Sequence, residues 1–118
     1  MITTNIQINE KSIEKKLDNL IDDTVMLEIH KLFAELCEPY VPMNTGKLLS
    51  SVNVTPQYVQ YATNYASDVY NRNDSNFNTE KHSLATGHWD KAMMQDRGEE
   101  FIQKVKELLI RRAKQLYG

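Results

Sequence analysis

The chain has 118 residues, a formal net charge of −2 and 41% hydrophobic residues. These values suit one domain over residues 1–118, which buries about 65% of its unfolded surface. The 14 basic residues do not exceed the 16 acidic ones, so no broad attraction to nucleic acid or to an anionic membrane is expected. No apolar run has the length of a signal peptide or a membrane span. A single cysteine, Cys37, excludes an internal disulfide and predicts synthesis in a reducing cytoplasm.

The first third of the chain predicts one long amphipathic helix. Residues 3–8 alternate loosely, as in a short edge strand or a disordered arm. Asn9 is a suitable N-cap, and the helix is expected to end near Glu38, because Pro39 cannot continue it. Its apolar positions recur at steps of three and four residues: Ile13, Leu17, Leu20, Ile21, Val25, Ile29, Leu32, Phe33 and Leu36.

Residues 40–51 form the corner that ends this helix. Pro39 and Pro42 forbid helical continuation, and the sequence Asn-Thr-Gly that closes at Gly46 is typical of a turn with a positive φ. Residues 48–55 and 58–63 then read as two β-strands, with Pro56 in the turn between them. We therefore expect a β-hairpin after the corner.

The second half of the chain predicts a long loop and a closing helix. Residues 71–87 are polar, and their large apolar residues are Phe77 and Leu84. Trp89 begins a helical piece in which it shares a face with Met93, and we expect both to be buried. Gly98 marks a possible break before the last helix. The predicted fold class is α+β, with a long N-terminal helix and a C-terminal helix packed on a small antiparallel β-sheet.

The sequence contains no motif typical of a catalytic, metal or phosphate site. Gly46-Lys47 lacks the remainder of a phosphate-binding loop. The three histidines, His30, His82 and His88, have no zinc-like spacing, and no nucleophile turn of the form G-x-S-x-G occurs. The closely spaced tyrosines lack the basic neighbours that single-strand binding needs, so packing roles are favoured. We predict no catalytic residue, no metal and no cofactor.

Three stretches together resemble a known family. Residues 40–48 with Ser51 look like the signature P-x-D/N-T-G-x-L-x-x-S of minor capsid and tail-completion proteins of tailed phages. Residues 61–70 are similar to that family's V-x-Y-x-x-x-Y-A-x-x-x-Y stretch, and residues 86–93 resemble its T-x-H-W-x-x-x-M entry to the last helix. The residues that carry the resemblance are Pro42, Asn44, Thr45, Gly46, Leu48, Ser51, Tyr61, Tyr65, Ala66, Tyr70, His88 and Trp89.

The resemblance, strongest to phages and prophages of Gram-positive bacteria, implies a virion structural protein at the head–tail junction. Such proteins are made in the host cytoplasm and act as homo-oligomeric rings, commonly sixfold, with head connector and tail-tube proteins as partners. No catalysis, membrane or sequence-specific nucleic-acid binding is implied. Two other classes stay open. A nucleic-acid-binding module needs a folded basic face, and a toxin-like hydrolase needs His82 or His88 beside a carboxylate such as Asp68 or Asp90.

The polar stretch 71–87 is the predicted assembly loop. Its composition buries too little apolar surface to offset its own ordering entropy. We expect it to be mobile in the free protein and ordered in the virion, with Phe77 and Leu84 as isolated anchors on a neighbouring subunit. The alternative is a loop that folds back on its own domain with Phe77 in the core.

Overall fold

The computed structural model describes residues 1–6, 21–42, 46–71, 84 and 86–117. The fold is α+β, with helices around a small three-stranded antiparallel sheet. The strands are β1 (Ile2–Thr4), β2 (Val52–Val54) and β3 (Val59–Tyr61), and the helices are α1 (Asp23–Cys37), α2 (Lys47–Ser50), α3 (Ala66–Tyr70) and α4 (Trp89–Tyr117). A single 3₁₀ turn, Glu38–Tyr40, follows α1.

The sheet has the strand order β1-β3-β2, so β3 is central. The predicted hairpin is confirmed: β2 pairs antiparallel with β3, with Val52 opposite Tyr61 and Asn53 opposite Gln60. The N-terminal residues form an edge strand, in which Thr3 also lies opposite Gln60. Because the period of a strand is two residues, Thr3 and Asn53 lie on the same face of the sheet at its two opposite edges.

Helix α1 is shorter than predicted. Asp22 has extended backbone angles, and its side chain accepts a hydrogen bond from the N–H of Val25. The prediction of one uninterrupted helix over 9–38 is therefore wrong at residues 21–22, because Asp22 is not helical and caps a helix that begins at Asp23. The predicted end of the helix before Pro39 is confirmed. The Asn9 cap and the apolar positions 13, 17 and 20 lie outside the described residues.

The predicted strand over 48–55 is also partly wrong. Residues Lys47–Ser50 form one helical turn, closed by a bond from the Ser50 N–H to the Gly46 carbonyl at 2.9 Å. The Ser51 hydroxyl then donates to the Leu48 carbonyl at 2.6 Å, and β2 begins only after it. Leu48 is buried, and it lies in α2 and not in a strand.

The core lies between α1, the sheet and the first turns of α4. The rings of Phe33 and Phe101 meet edge to face at 5.7 Å, which joins α1 to α4. Helix α4 is kinked at Arg97, directly before Gly98, where the sequence predicts a break. The buried apolar residues are Val25, Ile29, Phe33, Leu36, Cys37, Tyr40, Val41, Leu48, Val59, Tyr61, Ala66, Trp89, Met93 and Phe101.

Candidate functional site

The three stretches that carry the family resemblance meet at one junction in the fold. The N–H of Thr86 donates to the carbonyl of Tyr40 at 3.0 Å, and the N–H of His88 donates to the carbonyl of Tyr70 at 2.8 Å. The segment before α4 is thus hydrogen-bonded both to the start of the corner and to the end of α3. Three stretches that are distant in the sequence converge here.

Aromatic rings form the centre of this junction. Trp89 is 1% exposed, and its ring meets Tyr61 at 5.1 Å and Tyr70 at 5.0 Å, both edge to face. Tyr70 also meets the ring of His88 at 4.7 Å. Edge-to-face pairs of this kind stabilise beyond the apolar area that they bury. The predicted burial of Trp89 and Met93 is confirmed, since Met93 is fully buried.

Two phenol hydroxyls at this junction are paired with carboxylates. The Tyr70 hydroxyl donates to Asp90 Oδ1 at 2.7 Å, and the Tyr40 hydroxyl donates to Asp96 Oδ2 at 3.1 Å. Burial, followed by the contact with Asp90, raises the pKa of the Tyr70 hydroxyl. Burial raises the pKa of Tyr61 in the same way, and it raises the pKa of the Cys37 thiol to about 12. These groups are neutral at pH 7, which suits packing better than acid–base or nucleophilic chemistry.

The corner itself depends on Gly46. Its φ of 82° lies in the left-handed region, as the sequence predicts. Gly46 precedes α2, and α2 carries Leu48 into the core. Ser51 closes the corner against the hairpin, because its hydroxyl oxygen accepts the N–H of Ala62 at 3.1 Å. The conformation of Gly46 therefore decides where Leu48 and Ser51 lie.

We expect Gly46→Val to destabilise the fold. A β-branched residue with a positive φ is a true outlier, and the left-handed conformation costs such a residue roughly 1–2 kcal/mol. The matched control is Gly46→Asn, because asparagine tolerates this region. Urea denaturation of both variants measures the difference. Equal stability of the valine and asparagine variants would contradict a corner built on a positive φ.

Other predicted residues are not part of the buried junction. Tyr65 is 38% exposed and Leu84 is 49% exposed, whereas Ala66 is fully buried beside the cluster. Pro42 is half-buried. Asn44, Thr45, Phe77 and His82 lie outside the described residues, so the predicted turn bonds, the loop anchor and one candidate histidine have no described geometry.

A buried polar residue was missed by the sequence reasoning. His30 is completely buried in α1; its Nε2 accepts the N–H of Ile6 and its Nδ1 contacts the carbonyl of Thr55, both at 2.9 Å. Because Nε2 accepts, Nδ1 must carry the proton and donate. Burial lowers the pKa of this imidazole. The sequence signal for this burial is the position of His30 between Ile29 and Phe33 of the apolar stripe.

The described residues contain no group of three or more histidine, cysteine, aspartate or glutamate side chains that could hold a metal ion. Among them, no helix is both long and apolar enough to cross a membrane. Comparisons with known proteins find no match for this chain among protein-family models, curated proteins or solved structures.

Proposed function

We propose that this chain is a structural protein of a phage virion, acting at the head–tail junction as a minor capsid or tail-completion protein. The observation that carries the proposal is the convergence of the three resembling stretches, joined by the bonds from Thr86 to Tyr40 and from His88 to Tyr70. Residues that recur together in a family for structural reasons are expected to contact one another, and Tyr70 contacts both His88 and Trp89. The proposed arrangement has the N-terminal and C-terminal helices packed on the small sheet.

In this proposal the protein acts without catalysis, cofactor or metal. The phenols and the thiol at the junction are kept neutral by burial, so the junction supplies rigidity. Its working partners are further copies of the chain in a ring, the head connector and the tail-tube proteins. It is made in the host cytoplasm and resides in the virion, without membrane insertion or sequence-specific nucleic-acid binding.

Exposed apolar side chains support an assembling role. Leu84 in the proposed assembly loop is 49% exposed, and Ile110 on the last turns of α4 is 56% exposed. The two ends of the loop are fixed, since Asn71 bonds to Ser67 and Thr86 bonds to Tyr40. A loop with fixed ends presents its apolar residues from a defined place, and cyclic assembly buries such residues against a neighbouring copy.

The test is deletion of the gene from the phage or prophage that encodes it, followed by complementation. We expect the deletion to yield separate heads and tails in negative-stain micrographs, and the wild-type gene to restore joined particles. We then supply the deletion strain with the double variant Phe77→Ser, Leu84→Ser. We expect this variant to have a nearly unchanged melting temperature but to leave heads and tails unjoined. Serine removes the apolar anchors without changing the backbone.

The matched control is Ile102→Ser, which removes an apolar residue outside the loop that is 49% exposed, as Leu84 is, and this variant should restore joining. Normal particles from the deletion strain would overturn the proposed function. If the deletion blocks joining but the double serine variant restores it, only the assembly role of the loop is overturned. If the double variant unfolds, the loop belongs to the core of its own domain.

A further inference from the structure

Strand β2 lies at an edge of the sheet. Some of its backbone N–H and C=O groups face β3, and the others point away from the sheet. The Ser51 carbonyl accepts the N–H of Ala62 at 3.3 Å, and the Thr55 N–H donates to the Tyr58 carbonyl at 2.9 Å. In an antiparallel ladder alternate residues bond to the partner strand, so Asn53 between them also faces β3. The N–H and C=O groups of Val52 and Val54 therefore point outward.

Among the described residues, this outer edge of β2 has no partner strand. Within the described parts of the chain, no hydrogen bond reaches the outward backbone groups of Val52 or Val54. Natural edge strands are commonly protected by their shortness, by lysine or proline, or by a bulge. Strand β2 is short, with three residues, but Val-Asn-Val contains no lysine or proline, and its register with β3 has no bulge. The opposite edge differs, because the Met1 amino group and carbonyl are both bonded to the Ser67 hydroxyl of α3.

A shallow groove runs along the open edge, on the face of β2 that is turned to α1. Its apolar lining comes from Ala34, Leu49, Val52 and Val54. The α1 side of the groove carries charges of both signs, with Lys31 at one end and Glu35 and Glu38 towards the other. The groove thus offers apolar contact to a strand that pairs with β2, and its charges distinguish one direction of approach from the other.

We propose that β2 pairs antiparallel with β2 of a second copy of this chain, about a two-fold axis through Asn53. In that register Val52 of each copy lies opposite Val54 of the other, and these residues exchange the hydrogen bonds that are otherwise open. The two Asn53 side chains lie side by side on the exposed face, and an amide can both donate to and accept from its own kind.

The order of charges beside β2 favours a second copy of this chain as the partner strand. A two-fold axis reverses the order of charges along α1, so that the Lys31 end of one groove meets the carboxylate end of the other. Head-to-tail addition would instead join β2 to the β1 edge of the neighbour, where Met1 is already bonded to Ser67. The pairing does not rest on the proposed virion role, and either can fail alone.

The register is tested by Asn53→Cys with Thr3→Cys as its matched control. Both positions are exposed and both lie opposite Gln60, one at each edge. At the two-fold axis the Cα atoms of residue 53 are about 4.5 Å apart, within the range of a disulfide. We expect mild oxidation with oxidised glutathione to give a covalent dimer of the Asn53→Cys protein and not of the control. The native Cys37 is buried and does not compete.

Association is tested in the protein without introduced cysteines, by analytical ultracentrifugation over a concentration series. We expect the wild type to dimerise, Asn53→Lys to weaken dimerisation by about tenfold or more through like charges at the axis, and Thr3→Lys to match the wild type. Hydrogen exchange should slow at the amides of Val52 and Val54 as concentration rises, while the Asn53 amide stays unchanged. A wild type that remains monomeric to about 1 mM, equal effects of the two lysines, or unchanged exchange would overturn the pairing.

Discussion

Replacement of Trp89 by alanine is expected to lower the free energy of unfolding by about 3–5 kcal/mol, the usual cost of deleting a buried aromatic side chain. Trp89 is 1% exposed and contacts the rings of Tyr61 and Tyr70. Its removal takes away the ring that joins β3 to α3 at the start of α4. It also leaves a cavity that α4 cannot fill without moving the bonds from Thr86 to Tyr40 and from His88 to Tyr70. Two edge-to-face contacts are lost together with the buried area.

The measurement is urea denaturation of the variant beside Ile102→Ala, an exposed apolar position on the same helix. The control should change stability by less than about 0.5 kcal/mol, as surface substitutions usually do. Trp89→Phe should keep part of the stability because a ring still meets Tyr61. Native fluorescence should be that of a buried indole, since this is the only tryptophan. A cost for Trp89→Ala no larger than that of the control would show that the junction is not the centre of the core.

The elements that follow from local chemistry could be predicted from the sequence. The end of α1 before Pro39, the left-handed Gly46, the β2–β3 hairpin and the break beside Gly98 each depend on one or two residues with strong backbone preferences. The burial of Trp89 follows from the size of its ring and its shared face with Met93. In these places local preference and tertiary packing agree.

The errors arise where two local patterns compete. Leu48 to Ser50 suit a strand by their position before Val52, but the bonds from Ser50 to Gly46 and from Ser51 to Leu48 close a helical turn first. At Asp22 the apolar period in the sequence continues through the residue, yet its side chain accepts the N–H of Val25 and caps the start of α1. Hydrophobic spacing carries no information on the energies of these backbone and side-chain hydrogen bonds, so it could not decide between the two patterns.

The parts of the candidate site that join distant segments could not be predicted either. Nothing in the sequence places Thr86 beside Tyr40, because the bond is between backbone groups whose partners are set by tertiary packing. The hydrogen-bond partners of His30 are likewise set by tertiary packing. A histidine in an apolar stripe predicts burial, but not that Ile6 and Thr55 supply its two partners.

We expect His30 to make the fold less stable as pH falls below about 6.5, the ordinary pKa of histidine. Burial lowers its pKa in the folded protein, so the folded state favours the neutral ring more than the unfolded state does. Between the lowered pKa and about 6.5 the unfolded chain binds more protons, and stability therefore rises with pH across that window. Above this pH window the neutral His30 ring contributes fully to stability, and below the window that contribution is lost.

The geometry explains what protonation disrupts. A charged imidazole has a proton on both nitrogens, so Nε2 can no longer accept the N–H of Ile6, and the tie between the N-terminal strand and α1 is broken while the contact to Thr55 remains. The carboxylate of Asp22 does not interfere in this window, because its bond from Val25 lowers its pKa from an already acidic value.

The test compares the wild type with His30→Gln in urea denaturation at pH 7, 6 and 5. The glutamine keeps a neutral polar group in α1 but has no proton to gain, so the stability difference between the two proteins should be largest at pH 7 and shrink towards pH 5. At pH 7 the variant should cost about 1–3 kcal/mol, the range for a buried polar group left without its partner. A wild type whose stability rises as the pH falls to 5, or a glutamine variant with the same pH dependence, would show that His30 is not the group that titrates. Exchange of the Ile6 amide supplies the local readout, since its protection should fall over the same pH interval while that of the hairpin amides, bonded within the sheet, does not.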